Sequence, residues 1–108
     1  MDQLTIKTQN SFDSIKRYRA SGDEYWCARD LMKLLGYAKW DRFGASEGVQ
    51  PSVIQRAITS AKVSETHTQS QFLYIEKLID RVQGGTTIKE ECELSRYACY
   101  LVAMMLVI

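Results

Sequence analysis

Three short groups in the sequence interleave cations with aromatic rings. They are Lys16, Arg17, Tyr18 and Arg19; Lys39, Trp40, Arg42 and Phe43; and Arg96 with Tyr97. That combination suits a polyanion with planar bases. Lys and Arg neutralise phosphates, and helix N-termini present backbone N–H groups to them. Exposed rings stack on bases or wedge between them. The expected nucleic-acid-binding set is led by Lys39, Trp40 and Arg42, followed by Arg56 and Lys62, then Arg96. The cations would take phosphates, with Trp40 as a stacking platform. In a small domain, Trp40 and Phe43 suit a hydrophobic core equally well. Arg96 is balanced between a phosphate contact and an internal acidic partner, Asp30 or Glu93, because a charge is not buried without a partner.

Other chemistries have less to build on. His67 is the single histidine, in the polar stretch Glu65-Thr66-His67-Thr68, without a recognisable Ser or Cys partner for nucleophilic catalysis. It reads as a surface histidine. Glu90 and Glu91 are adjacent, and neighbours on a strand point to opposite faces, so they would not share a metal. A Mg²⁺-dependent nuclease built on them is the weakest reading. Cys27, Cys92 and Cys99 are odd in number and widely spaced, without CxxC. With one histidine they do not complete a zinc site. They read as free thiols of a reducing cytoplasm. Gly84-Gly85 is a turn signal rather than a phosphate loop. No catalytic residue, metal or cofactor is expected.

The elements that must position these residues belong to one small domain. The chain has 108 residues, 45% hydrophobic and 25% charged, with formal net charge +1. This excludes a globally basic nucleic-acid binder. The charge is uneven, however: residues 1–62 are net +3 and residues 63–108 net −2. Any phosphate-binding surface must therefore be a local patch. The N-terminus lacks the charged flank and apolar core of a signal peptide, and the uncharged stretch from Tyr97 to Ile108 is too short to span a bilayer.

Residues 1–11 read as a flexible lead-in. Phe12 to Ala28 reads as a β-hairpin turning at Ser21-Gly22-Asp23-Glu24, with a short helix over Phe12–Tyr18 as the alternative. Ala28 to Leu35 reads as a helix with Leu31, Leu34 and Leu35 on one face and Gly36 as its left-handed stop. A loop follows over 37–51. Ser52 to Lys62 reads as a helix, with Ser52 and Gln55 forming a capping box and Ile54, Ala57, Ile58 and Ala61 its apolar face. Residues 63–71 read as a polar loop. The spacing of Phe72, Ile75, Ile79 and Val82 predicts another helix, broken at Gly84-Gly85. Thr86 to Leu94 reads as a strand. Ser95 would cap a last helix with Ala98, Leu101, Val102 and Met105 as its stripe. The order hairpin, helices, strand and helix gives an α+β fold. An exposed apolar stripe over 101–108 would favour self-association into a homo-oligomer or contact with another domain.

Two motifs resemble a known family. Tyr25-Trp26-Cys27-Ala28-Arg29-Asp30-Leu31, continuing to Leu35-Gly36-Tyr37 and Trp40, is one. Leu94-Ser95-Arg96-Tyr97-Ala98-Cys99-Tyr100-Leu101 is the other. Both resemble signatures of the DNA-damage-inducible protein D family, whose N-terminal part is similar to the BRO-N domain of phage antirepressor-like proteins. The resemblance runs from about Phe12 to Met104. It implies a bacterial, phage or mobile-element protein, a BRO-N-like fold with the hairpin before the first helix, DNA binding without catalysis, and modulation of the recombinase filament on single-stranded DNA. A module acting through protein contacts, without touching DNA, is the alternative. The family's chain continues past the last helix, which implies that this one is truncated, frameshifted or a part of a longer chain. Cys27 stands where the family commonly has Ser, a better helix cap.

Overall fold

The computed structural model describes residues 11–64 and 68–106. The first strands are β1 (Arg17–Tyr18) and β2 (Glu24–Cys27), followed by helices α1 (Ala28–Leu34), α2 (Trp40–Phe43), α3 (Val53–Val63) and α4 (Thr68–Gln71). Strands β3 (Phe72–Asp80) and β4 (Thr86–Leu94) then lead to helix α5 (Arg96–Met105). The strands form one antiparallel sheet in the order β1-β2-β4-β3. The fold is α+β, as the order of elements predicts.

The first hairpin forms but is shorter than expected. Its turn passes through Gly22 at φ 95°, while residues 11–14 are helical and do not extend the first strand. The reason is a competing contact. The Phe12 ring stacks on Trp26 with centroids 4.5 Å apart, and the Phe12 carbonyl accepts from Trp26 Nε1 at 3.0 Å. This folds the segment back onto the core. Of the expected lead-in over 1–11, residues 1–10 lie outside the described residues, as does His67.

Helix α1 stops as the sequence requires. Gly36 takes φ 84°, the Gly36 N–H donates to Lys33 O and the Tyr37 N–H to Met32 O, a Schellman termination. Ser52 caps α3 by accepting from Gln55 N at 3.2 Å, and Ser95 caps α5 by accepting from Ala98 N at 3.0 Å. The Gln55 side chain does not complete the reciprocal half of the box. It donates instead to the Tyr74 hydroxyl at 3.2 Å.

The expected helix from Phe72 to Val82 is instead strand β3, and this is the main correction to the sequence reading. β3 pairs with β4 along its whole length, from Phe72 opposite Leu94 to Asp80 opposite Thr86. Phe72, Ile75 and Ile79 satisfy helical spacing by coincidence, while the run is aromatic and β-branched enough for a pleat. Gly84 and Gly85, at φ 93° and 78°, make the hairpin turn rather than a helix stop. The loops over 37–51 and 63–71 also carry one helical turn each, α2 and α4.

Trp26, Leu94 and Phe72 are in register across three strands and all are buried. Helices α3 and α5 add Ile54, Ala57, Ala61, Ala98 and Val102 to the same core. Outward from the Glu76–Glu90 pair the β3–β4 ribbon leaves the body, and Leu78 and Ile88 are exposed. The three cysteines are free and buried, and desolvation pushes the Cys99 thiol up to about 12. No described helix is long and apolar enough to cross a membrane.

Candidate nucleic-acid interface

Helix α2 and the start of α3 are separated by loop 44–52, which leaves an open groove of about 550 Å³. Arg42 from α2 and Arg56 from α3 both line it, together with Tyr37, Asp41 and the loop residues Gln50 and Pro51. Both arginines are exposed, and neither makes an ion pair with a described residue. Lys39 is exposed at the N-cap of α2. Residues 37–64 hold four Lys/Arg against two Asp/Glu, a local basic excess.

The remaining expected residues are placed elsewhere. Lys62 lies in the last turn of α3, exposed and outside the groove lining. Arg96 is engaged within the protein. Its guanidinium donates to Glu24 at 2.7 and 3.2 Å and lies over the Trp26 ring at 5.1 Å. That bond to Arg96 holds the Glu24 carboxyl below its ordinary range. The internal partner is thus Glu24, while Asp30 pairs with Arg17 at 3.1 Å and Glu93 with Arg19.

Trp40 is half-buried and held on several sides. The Arg29 guanidinium lies over its ring at 4.3 Å, and Nε1 donates to Glu90 at 3.2 Å. Its benzo ring packs so closely on Gly44 that a Cβ there would fall 2.4 Å from a ring carbon. The ring fixes α2 in place rather than standing free, while Phe43 is wholly core. Glu90 and Glu91 do point to opposite faces. Glu90 reaches Ser46 and Trp40, whereas Glu91 turns to the N-terminus of α1.

Ser46 and Tyr74 carry no local sequence signal of their part in this region, and Tyr37 is marked only by its place in the first motif. Loop 44–52 is bonded to the β3–β4 ribbon through Gly44 and Ser46, and those contacts are set by strand pairing that no local pattern announces.

The geometry defines a class first: a small α+β module with a pair of arginines, unpaired among the described residues, in an open groove. The chain is 37% identical over 94 residues to DNA damage-inducible protein D of Escherichia coli (strain K12), an alignment covering 84% of this chain. The chain belongs to the DNA damage-inducible protein D family. It spans about a third (31%) of that relative's length. No family model matches the chain, and no solved structure does.

Proposed function

We propose that this domain is a non-enzymatic DNA-binding module of the DNA-damage response, taking phosphates in the groove between α2 and α3. One observation carries the reading. Arg42 and Arg56 converge on an open groove without ion-pair partners among the described residues, whereas Arg17, Arg19 and Arg96 are each neutralised by a carboxylate. Lys39, exposed at the N-cap of α2, adds a third cation on the same segment as Arg42. The relative's name supports the damage-response setting, and a BRO-N-like ancestry would agree with DNA as the partner. Fluorescence anisotropy with labelled single- and double-stranded oligonucleotides tests the proposal. Arg42→Ala/Arg56→Ala is expected to weaken binding by roughly tenfold or more, and Arg17→Ala, which removes an exposed ion pair, to leave it within about twofold. Equal losses in the two variants, or none, would overturn it.

A second reading is a protein-interaction module, acting on a recombinase filament or on its own copies. It is favoured by a groove of about 400 Å³ between α1 and α5, lined by Phe12, Leu31, Leu34, Leu35, Cys99 and Ala103. Tyr100 and Met104 are exposed on α5, whereas Leu101 and Val102 face the core. Light scattering of the purified chain tests the homo-oligomer. A mass that rises with concentration supports it, and a constant monomer mass counts against it.

A further inference from the structure

Loop 44–52, which contributes Gly48 to Pro51 to the arginine groove, is attached to the β-ribbon by Tyr74 and Glu90, neither of which carries a positive charge. Tyr74 on β3 donates its hydroxyl to Gly44 O at 2.6 Å. Glu90 on β4 accepts from Ser46 N at 2.9 Å, from the Ser46 hydroxyl and from Trp40 Nε1 at 3.2 Å. The main-chain oxygen of Glu90 accepts from Arg29 Nε at 2.8 Å, which sets the Arg29 guanidinium over the Trp40 ring. The residue opposite Glu90 on β3 is Glu76, another acid. Among the described residues, the carboxylate of Glu90 is thus bonded wholly to neutral donors of the α2–α3 segment. It holds that segment on both sides of Arg42, through Trp40 before it and Ser46 after it.

We propose that Glu90 is the positioning residue of the groove, an acid whose net effect on phosphate binding is favourable because it fixes the segment that presents Arg42. The inference rests on the DNA-binding reading above. It makes a prediction of sign. If Glu90 acted only through space, removing its negative charge near a phosphate site would tighten DNA binding. If it positions the loop, removing it weakens binding although the protein becomes more positive.

The test uses the full chain with Glu90→Gln, Ser46→Ala and, as a stability control away from the groove, Val102→Ala. Binding of a labelled duplex oligonucleotide is measured under conditions where every variant is folded, together with amide hydrogen exchange over residues 44–52. Glu90→Gln is expected to weaken binding by roughly three- to tenfold while the salt slope stays within about half a unit of wild type, since no phosphate-binding cation is lost. The Ser46 amide should exchange at least about fivefold faster, because its acceptor becomes a neutral amide oxygen. Ser46→Ala, which keeps the main-chain bond, should lose less than Glu90→Gln, and Val102→Ala should bind as wild type. Unchanged or tighter binding by Glu90→Gln would overturn the proposal, as would an unchanged Ser46 exchange rate. If the wild-type chain binds no DNA, the functional reading falls on its own. Exchange at Ser46 then decides the positioning: faster in Glu90→Gln supports it, and unchanged refutes it.

Discussion

Helix α1 begins without a cap of its own, and a residue from the far strand supplies one. The Cys27 side chain makes no capping hydrogen bond, its sulfur accepting instead from Lys77 Nζ at 3.7 Å. Glu91, only 4% exposed, places one carboxylate oxygen 3.0 Å from Arg29 N and 2.9 Å from Cys92 N. Arg29 is the second residue of α1, so its N–H is among those with no partner inside the helix. Glu91→Ala strands both donors. Loss of a cap costs about 1 kcal/mol, and a stranded buried donor costs about 1–3 kcal/mol. Losing a negative charge at a helix N-terminus adds about 0.3–1 kcal/mol. Relief of the carboxylate's own desolvation offsets part of this, so the expected loss is roughly 2–4 kcal/mol. Glu91→Gln keeps an acceptor and should lose about 1 kcal/mol, the charge-assisted part of the bonds. Urea denaturation reads both as a lower midpoint at constant m. The cap account makes a sharper demand on Cys27. Cys27→Ser should be nearly neutral in the wild-type protein, where the donor is already satisfied. In Glu91→Ala it should recover about 0.5–1 kcal/mol. If Glu91→Ala lies within about 0.5 kcal/mol of wild type, or Cys27→Ser has the same effect in both backgrounds, the reasoning is wrong.

Three further outcomes are expected. Gly44→Ala should destabilise the domain by about 1–3 kcal/mol and change tryptophan emission, because the new Cβ overlaps the Trp40 ring. Gly36→Ala should cost roughly 1 kcal/mol in a thermal melt, because its φ of 84° disfavours a side chain. The Glu90 carboxyl is pushed up by burial, but bonds from the Ser46 hydroxyl, Ser46 N and Trp40 outweigh this and lower it below 4.5. Its folded value is thus depressed, so its stabilisation is present above about pH 4.5 and lost as pH falls through the folded value. Acid unfolding of Glu90→Gln should show a shallower limb below pH 4.5, and an unchanged limb would count against those bonds.

The ends of the long helices were legible because each is marked by a residue with a local role: Gly36 after α1, Ser52 before α3 and Ser95 before α5. Strand β3 was not legible. Phe72, Ile75, Ile79 and Val82 meet the helical period, and what decides their state is β4, which lies beyond the turn. Helix α2 is four residues long, too short for periodicity to register. The basic cluster was visible as composition, but its grouping was not. Arg42 and Arg56 meet because loop 44–52 folds between them, and that loop is held by Glu90 from β4, which was legible as a strand, and by Tyr74 from β3, which was not. Arg96 chose Glu24, 72 positions away, over Asp30 or Glu93. The pairing of β2 with β4 brings Glu24 to the start of α5, and the same hairpin gives Asp30 and Glu93 to Arg17 and Arg19.

The central claim is that DNA phosphates are neutralised by the cations of one groove. The most direct measurement is the salt dependence of binding to one duplex oligonucleotide, for the wild-type chain and for Arg42→Ala/Arg56→Ala. Each lost phosphate contact removes about 0.9 from the slope of log affinity against log salt, so the variant's slope should be shallower by about one to two units. Lys39→Ala/Arg42→Ala should behave alike. Slopes that coincide across the three proteins would contradict the claim.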